Sequence, residues 1–348
     1  MKAAVCYGNG LIKYEEVQTP YPQDNEVRVK VKTCGICGSD VPRALKEVAH
    51  YYPIVLGHEC AGIVEKIGQH VTNVSVGDKV CVVPLIPCYD CQACRNGNFS
   101  LCNHYSFIGS RQPGGMAEYV VVPATNVYKL TSNVSFEQGA LFEPATVALH
   151  AFYQNNYKAG GTVAILGGGT IGVFALQWAK ILGCKKAVVF GRDKNHLKLS
   201  EELGADAIIS TCDTDFKQQA LTYTSGNGFD YIFETAGSID TIKYCLELAT
   251  PKAHICFVGT PNRELTFSIR EWEYLNRKEL NLVGSWMSYS SPFPGKEWEQ
   301  TQQCFNSGKL KFHEKMFFKK FALRDAQSAF RMFSDKTNNV KGRVLLII

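Results

Sequence analysis

Residues 162–172 read Thr-Val-Ala-Ile-Leu-Gly-Gly-Gly-Thr-Ile-Gly, an apolar run of strand character ending in glycines spaced Gly-x-Gly-x-x-Gly at Gly167, Gly169 and Gly172. A segment of helical character begins near Thr170, before the third glycine is reached. Glycines in this order permit a tight turn, a close approach of ligand to backbone, and close packing of the helix on the strand. The unpaired N–H groups of the helix N-terminus then face the charge of a pyrophosphate. Alone, the triplet is a weak sign, and a glycine-rich structural turn is the alternative. Here it heads a series in which the strand-like KKAVVF, DAIIS, YIFETAG and HICFVG alternate with helical stretches across residues 148–285. That order predicts a doubly wound parallel sheet of the α/β class, with Gly167, Gly169, Thr170, Ile171 and Gly172 beside a dinucleotide.

The end of the second strand bears on which dinucleotide. An NAD site calls for an acid there to bond the adenosine ribose, and this chain has Gly191 and Arg192. Removing the carboxylate leaves room for a 2′-phosphate, which a guanidinium can hold by charge-assisted hydrogen bonds. NADP is therefore favoured. The alternative is NAD, with Arg192 solvated and Asp193, two positions late, serving the ribose.

Residues 1–147 have another character. Segments such as EVRVKVKTCGICG, HECAGIVEKIG and GGMAEYVVVP alternate apolar and polar residues between Gly and Pro, as half-buried strands do. After residue 285 the chain turns irregular and helical and ends in VLLII, a strand able to return to the first region. Two domains suit the length of 348 residues: 1–147 together with 286–348, and 148–285. Lys and Arg exceed Asp and Glu by only 37 to 32 and form no long basic run, which argues against a nucleic-acid partner. The N-terminal apolar patch is broken by Gly, Asn, Lys and Glu, so neither a signal peptide nor a membrane anchor is expected. In a cytoplasmic protein the fourteen cysteines would be metal ligands and buried thiols rather than disulfides.

Their spacing separates the two uses. Cys88, Cys91, Cys94 and Cys102 fall as Cys-x2-Cys-x2-Cys-x7-Cys in a loop with Asp90, Asn96, Gly97 and Asn98. Four thiolates so close in sequence can complete a tetrahedral zinc shell with no open position, the structural type of site. An iron–sulfur cluster competes on ligand type, but the bacterial ferredoxin run has a shorter last interval followed by Pro, and Asn103 follows Cys102. A second, dispersed set comprises Cys37, His58 in Gly57-His58-Glu59, and Glu143 before Pro144. Thiolate, imidazole and carboxylate together suit a zinc ion that keeps a position open. Singly, each has an ordinary alternative: a packed His, a Glu before a turn, or a Cys34–Cys37 redox pair.

Along the chain stand Cys-Gly-x-Cys-Gly-Ser-Asp at 34–40, Gly-His-Glu-x-x-Gly at 57–62, Val-Gly-Asp-x-Val at 76–80, the four-cysteine loop, Gly-Gly-x-Ala-Glu-Tyr at 114–119, and the glycine triplet. In these motifs and their order the whole chain resembles the zinc-dependent medium-chain alcohol and polyol dehydrogenases. The resemblance implies a GroES-like β-rich catalytic domain, a Rossmann domain, and two zinc ions per chain, one catalytic and one structural. It also implies a homodimer or homotetramer, joined through the strand near residues 280–283. Cys37, His58 and Glu143 would be the catalytic-zinc ligands, with Glu59 an alternative ligand or a supporting group and Asp40 orienting His58. Glu143, where ethanol-type members have Cys, points to the polyol branch.

Segments 49–53, 83–88, 107–111 and 284–292 resemble polyol-phosphate members of that branch. They imply a sugar-alcohol phosphate as substrate, in the first place galactitol 1-phosphate oxidised to tagatose 6-phosphate. Sorbitol 6-phosphate, a pentitol phosphate and unphosphorylated sorbitol are the alternatives. A non-enzymatic zinc- and nucleotide-binding protein is more remote, because the ligand set is complete. In the implied reaction, zinc lowers the pKa of the substrate hydroxyl, Ser39 takes its proton, and hydride passes to the nicotinamide. For Ser39 the alternative is a turn hydroxyl capping a helix. Pro42 stands where sorbitol dehydrogenases carry a relay His, so the route beyond Ser39 must differ, and His50 is the candidate. Arg43, Lys46 and Arg111 are candidates for the substrate phosphate, and Phe107 and Trp286 for apolar walls.

Overall fold

The computed structural model describes residues 1–261, 263–335, 340 and 342–348, and only the backbone of residue 196. The chain first forms strands β1 (Lys2–Gly8), β2 (Leu11–Glu16), β3 (Glu26–Ile36), β4 (Ile54–Val55), β5 (Glu59–Ile67), β6 (Lys79–Val82), β7 (Leu85–Ile86), β8 (Ser106–Phe107), β9 (Tyr119–Pro123) and β10 (Val127–Lys129). After the helix Phe142–Gln154 come β11 (Thr162–Leu166), β12 (Lys186–Gly191), β13 (Ala207–Ser210), β14 (Phe229–Glu234), β15 (Ala249–Phe257) and β16 (Asn281–Gly284). Between them lie the helices Thr170–Ile181, Lys194–Glu202, Phe216–Thr222, Ile239–Leu248 and Ile269–Arg277. Strands β17 (Phe317–Ala322) and β18 (Arg343–Ile347) follow.

Contacts divide the chain into two compact units: Met1–Glu143 with Ser288–Ser307 and Phe312–Ile348, and Pro144–Met287 with Gly308–Lys311. The first boundary falls inside the helix Phe142–Gln154, a few residues before the 147/148 expected from composition, and Trp286 groups with the second unit. A helix can carry the chain from one core to the next, so a boundary in its first turn leaves no mark in the sequence.

The first unit is built on a sheet in the order β10-β6-β5-β3-β18-β17, with β9 also paired to β3. In β3 the side chains of Val27, Val29 and Val31 are buried while those between them are more open, the period of two that one buried face requires. Strand β18 lies antiparallel to β3, with Val344 opposite Ile36 and Leu346 opposite Cys34. A pairing so distant in sequence is held by apolar burial: each such side chain contributes about 1.5–3 kcal/mol when removed from water.

The second unit holds a sheet in the order β13-β12-β11-β14-β15-β16, parallel throughout. Residues 162–166 of its central strand are all buried, as expected where helices cover both faces. This is the doubly wound sheet that the alternation of segments predicts. Among the described residues, no helix is long and apolar enough to cross a membrane.

Candidate metal centre and dinucleotide crevice

The metal centre of the first unit grows from the end of β3. Cys37 follows the strand directly, and the turn into the helix Asp40–Leu45 folds back on it: Asp40 Oδ2 accepts the Cys37 N–H at 3.0 Å, and the Asp40 N–H donates to Cys37 O at 3.0 Å. His58 arrives from β4 through Gly57, whose φ of +98° suits glycine and where a Cβ would lie 2.6 Å from Cys34 Sγ. Glu59 opens β5, one residue on. Ligand atoms of Cys37, His58 and Glu59 lie within 4.8 Å of one another. Asp40 Oδ1 is 3.4 Å from His58 Nδ1, and Arg343 Nε is 2.9 Å from Glu59 Oε2. Both pairs have ionic separations, but these atoms are not aligned for hydrogen bonds.

The charges at this point are strongly coupled. Burial opposes ionisation of Cys37, yet His58 and Arg343 outweigh it and hold the thiol down at about 6. Burial pushes Glu59 up to about 8, against the pull of Arg343, and pushes Glu143 up to about 7. Glu143 also feels His58, Glu59, Arg343 and Asp40, which ties it electrostatically to the same group. A thiol, an imidazole and nearby carboxylates with unaligned polar atoms fit a divalent cation of zinc's borderline softness. The Cys34–Cys37 pairing is not formed. Cys34 stands opposite Cys60 in the β3–β5 register, and a hydrogen bond donated by its S–H to Cys60, together with burial, holds its thiol up.

The second cysteine set is compact. The sulfurs of Cys88, Cys91, Cys94 and Cys102 lie within 4.8 Å of one another. Two point back at their own loop: Cys88 Sγ accepts the Cys91 N–H and Cys102 Sγ the Cys88 N–H, each at 3.3 Å. Tyr89 and Gly97, at φ +58° and +75°, bend the segment around the sulfurs. Four thiolates and no further donor fit a closed tetrahedral shell.

In the second unit each glycine of the triplet has its own reason. A Cβ on Gly167 would meet Thr235 Oγ1 at 2.6 Å, and one on Gly172 would sit 1.8 Å from Gly167 O, so neither position accepts a side chain. Gly169 precedes the helix Thr170–Ile181 and faces open space, as a backbone that receives a ligand must. Thr170 and Ile171 form the first turn of that helix. Gly191 ends β12, Arg192 is exposed, and Asp193 Oδ1 caps the helix Lys194–Glu202 by accepting the Asn195 N–H at 2.9 Å.

Comparison with known proteins bears on both units. The sequence family described as "Alcohol dehydrogenase GroES-like domain" matches residues 23–132, and that described as "Zinc-binding dehydrogenase" matches residues 170–305. Galactitol 1-phosphate 5-dehydrogenase of Escherichia coli (strain K12) is 38% identical over 348 residues, covering 100% of each chain. The chain belongs to the zinc-type medium-chain dehydrogenases. Sorbitol dehydrogenase of Bacillus subtilis (strain 168) is 30% identical over 84% of each chain, so the match extends through the polyol enzymes of this family. The crystal structure of the E. coli galactitol-1-phosphate dehydrogenase superposes with a TM-score of 0.94 at 38% identity, over 100% of both chains. A zinc-binding dehydrogenase from Sinorhizobium meliloti 1021, bound to NADP, superposes with a TM-score of 0.90 at 29% identity, over 100% of this chain and 99% of that one.

Around the metal centre of this dehydrogenase the remaining candidates divide. Phe107 packs edge-on to His58 at 5.4 Å, Tyr105 packs on Phe107 at 6.4 Å, and the Arg111 guanidinium lies 4.3 Å over Tyr105. Arg43 donates to Ser39 O at 2.8 Å and lies 3.9 Å from Asp40 Oδ1. Slight burial, then Arg111 and Arg43, lower the pKa of His50. Lys46 is exposed; its N–H donates to Pro42 O at 2.9 Å and its carbonyl accepts from the Tyr52 hydroxyl at 2.9 Å. Ser39 is exposed and makes no side-chain cap to the helix it precedes, so the capping alternative has no support. Trp286 is exposed in the second unit. Arg343 escaped the sequence reading altogether. Its only signal was a charge heading an otherwise apolar strand, Arg-Val-Leu-Leu-Ile.

Proposed function

We propose that this polyol dehydrogenase interconverts a sugar-alcohol phosphate and its keto-sugar phosphate with NADP, and that galactitol 1-phosphate, giving tagatose 6-phosphate, is its substrate. The observation that carries the reading is the convergence of Cys37, His58 and Glu59 within 4.8 Å, next to Asp40 and the exposed Ser39. Zinc held there would lower the pKa of a substrate hydroxyl, and a bound nicotinamide would supply the hydride acceptor. Cys37 and His58 hold the ion, while Asp40 fixes the imidazole so that its other nitrogen is the ligand. Arg343 engages Glu59, which favours Glu143 as the carboxylate ligand and leaves Glu59 in support. Ser39 Oγ accepts the hydroxyl proton. Pro42 cannot pass it on, and His50, whose pKa is lowered by slight burial and by Arg111 and Arg43, is the next acceptor in this reading.

Arg43 and Arg111, the two cations that lower the pKa of His50, would take the substrate phosphate. NADP is supported by Gly191 and Arg192, by the employment of Asp193 as a helix cap, and by the NADP of the S. meliloti structure. The four-cysteine loop takes a second, structural zinc. A cytoplasmic location suits fourteen free thiols. Association into a dimer, or a tetramer built from it, suits the edge strand β16 and the helix Ile269–Arg277, which buries none of its residues.

The test is a set of initial rates with galactitol 1-phosphate, sorbitol 6-phosphate, ribitol 5-phosphate, galactitol and sorbitol, each with NAD and NADP. The highest kcat/KM is expected for galactitol 1-phosphate with NADP. Equal rates for plain and phosphorylated polyols would remove the phosphate from the reading. A preference for sorbitol would favour the activity named for the B. subtilis relative.

A further inference from the structure

One buried acid has no part in this chemistry. Glu234, the last residue of β14, is fully buried. Its Oε1 accepts the N–H of Ala236 at 3.0 Å, the N–H of Gly237 at 2.9 Å and the hydroxyl of Thr241 at 2.7 Å; its Oε2 lies 3.1 Å from the same Gly237 N–H. Burying a carboxylate costs several kcal/mol unless donors surround it. Here they all come from the turn and helix that follow its own strand, so the carboxylate acts as the template on which residues 235–238 fold. Burial raises its pKa, and the bonds from Thr241, Ala236 and Gly237 pull it back.

The turn is fixed on both sides. Thr235 donates its N–H to Leu166 O at 2.9 Å, and its hydroxyl lies 3.2 Å from both Leu166 O and Gly167 O, which joins the turn to the glycine turn. On the far side, Glu234 O accepts the N–H of Val258 at 2.9 Å and of Gly259 at 3.0 Å. A Cβ on Gly259 would lie 2.2 Å from Gly237 N, and one on Gly237 would lie 2.6 Å from Thr260 O, so the two turns touch backbone to backbone.

Its place in the sheet gives this assembly a use. The winding reverses between β11 and β14, and ligands of such sheets lie outside the C-terminal strand ends at that point. The glycine turn after β11 takes the pyrophosphate, and Gly191 and Arg192 after β12 take the adenosine end. The other end of the dinucleotide must then extend over the turns that follow β14 and β15. We propose that Glu234 is a positioning residue for the nicotinamide half of the cofactor, holding residues 235–238 against the glycine turn in the shape that half binds. The proposal rests on the dinucleotide reading above.

The test uses the full, metal-loaded chain and two pairs of probes: NADPH with 2′,5′-ADP, and NADH with AMP. The second member of each pair lacks the nicotinamide half. Cofactor affinity is read by fluorescence and fragment affinity by calorimetry, for the unsubstituted chain, Glu234→Gln and Thr241→Val, which removes the hydroxyl donor to Glu234 Oε1. In both variants the Kd of the preferred cofactor should rise about fivefold or more, as loss of one or two buried hydrogen bonds requires. The Kd of its fragment should stay within about twofold, because the fragment's contacts are elsewhere. Equal weakening of cofactor and fragment would mean a general loosening and would overturn the proposal, as would an unchanged cofactor Kd. If the unsubstituted chain binds neither pair, the dinucleotide reading falls and takes this one with it. Should Glu234→Gln fail to fold, Thr241→Val leaves the buried acid in place without its hydroxyl donor and decides the question by the same criteria.

Discussion

Asp40 is fully buried with a task for each oxygen: Oδ2 takes the Cys37 N–H and Oδ1 stands 3.4 Å from His58 Nδ1. One side chain thus sets the backbone beside one metal-binding residue and the ring of the other. Asp40→Asn keeps the size but removes the charge, and should lower zinc affinity about 10–100-fold, measured by competition with a chelating dye. Affinity within about twofold of the unsubstituted chain would show that the carboxylate does not steer the imidazole. Arg192 offers a second test. Its guanidinium has no acid beside it on the strand, since Gly191 ends β12 and Asp193 is turned to its helix. Arg192→Ala should raise the KM for NADP about tenfold and leave that for NAD nearly unchanged, the difference expected when one charged hydrogen-bonding group leaves a phosphate. A parallel rise for both cofactors would contradict the assignment.

At the scale of elements, the two candidate metal sites differ in how they are made. Residues 88–102 form a loop whose sulfurs come together through local turns, so its metal is also its fold. Cys94→Ser should lower metal content from two zinc ions per chain to one and lower the Tm, with loss of activity following loss of structure. Retention of two ions by elemental analysis would contradict the four-thiolate shell. The same difference explains what could be read in advance. The four cysteines and the glycine triplet each lie within about fifteen residues of chain, so spacing alone picked them out, whereas the contact of Gly167 with Thr235 is set by strand register. Cys37, His58 and Glu143 lie on separate elements, and only their likeness to a known family singled them out. Arg343 and Glu234 left no motif, because their partners are set by strand register: Arg343 reaches Ile36 O because β18 lies on β3, and Glu234 meets its donors where β14 ends. Burial of a charge is a property of the packed sheet, and the hydropathy of a strand does not contain it.

Across the whole molecule, several large apolar side chains of the second unit are exposed, and one of them, Leu282, lies on the edge strand β16. Ile269 is 85% exposed, Trp272 52% and Leu282 43%, and β16 has a paired neighbour on one side only. The proposed association through β16 predicts that Leu282→Lys with Trp272→Glu gives monomers by light scattering, since charge on an open edge discourages strand addition. An unchanged mass would put the contact elsewhere.

The pairing of β18 with β3 has a temporal side as well. Arg343 donates to Ile36 O across 307 positions of chain. At a synthesis rate of about 5–20 residues per second, the end of β3 leaves the ribosome roughly 15–60 s before the strand that completes its sheet. The second unit lies almost wholly between them and can fold in that interval. The unit begun first is the one finished last, and throughout the wait the thiol of Cys37 has no Arg343 to hold it charged.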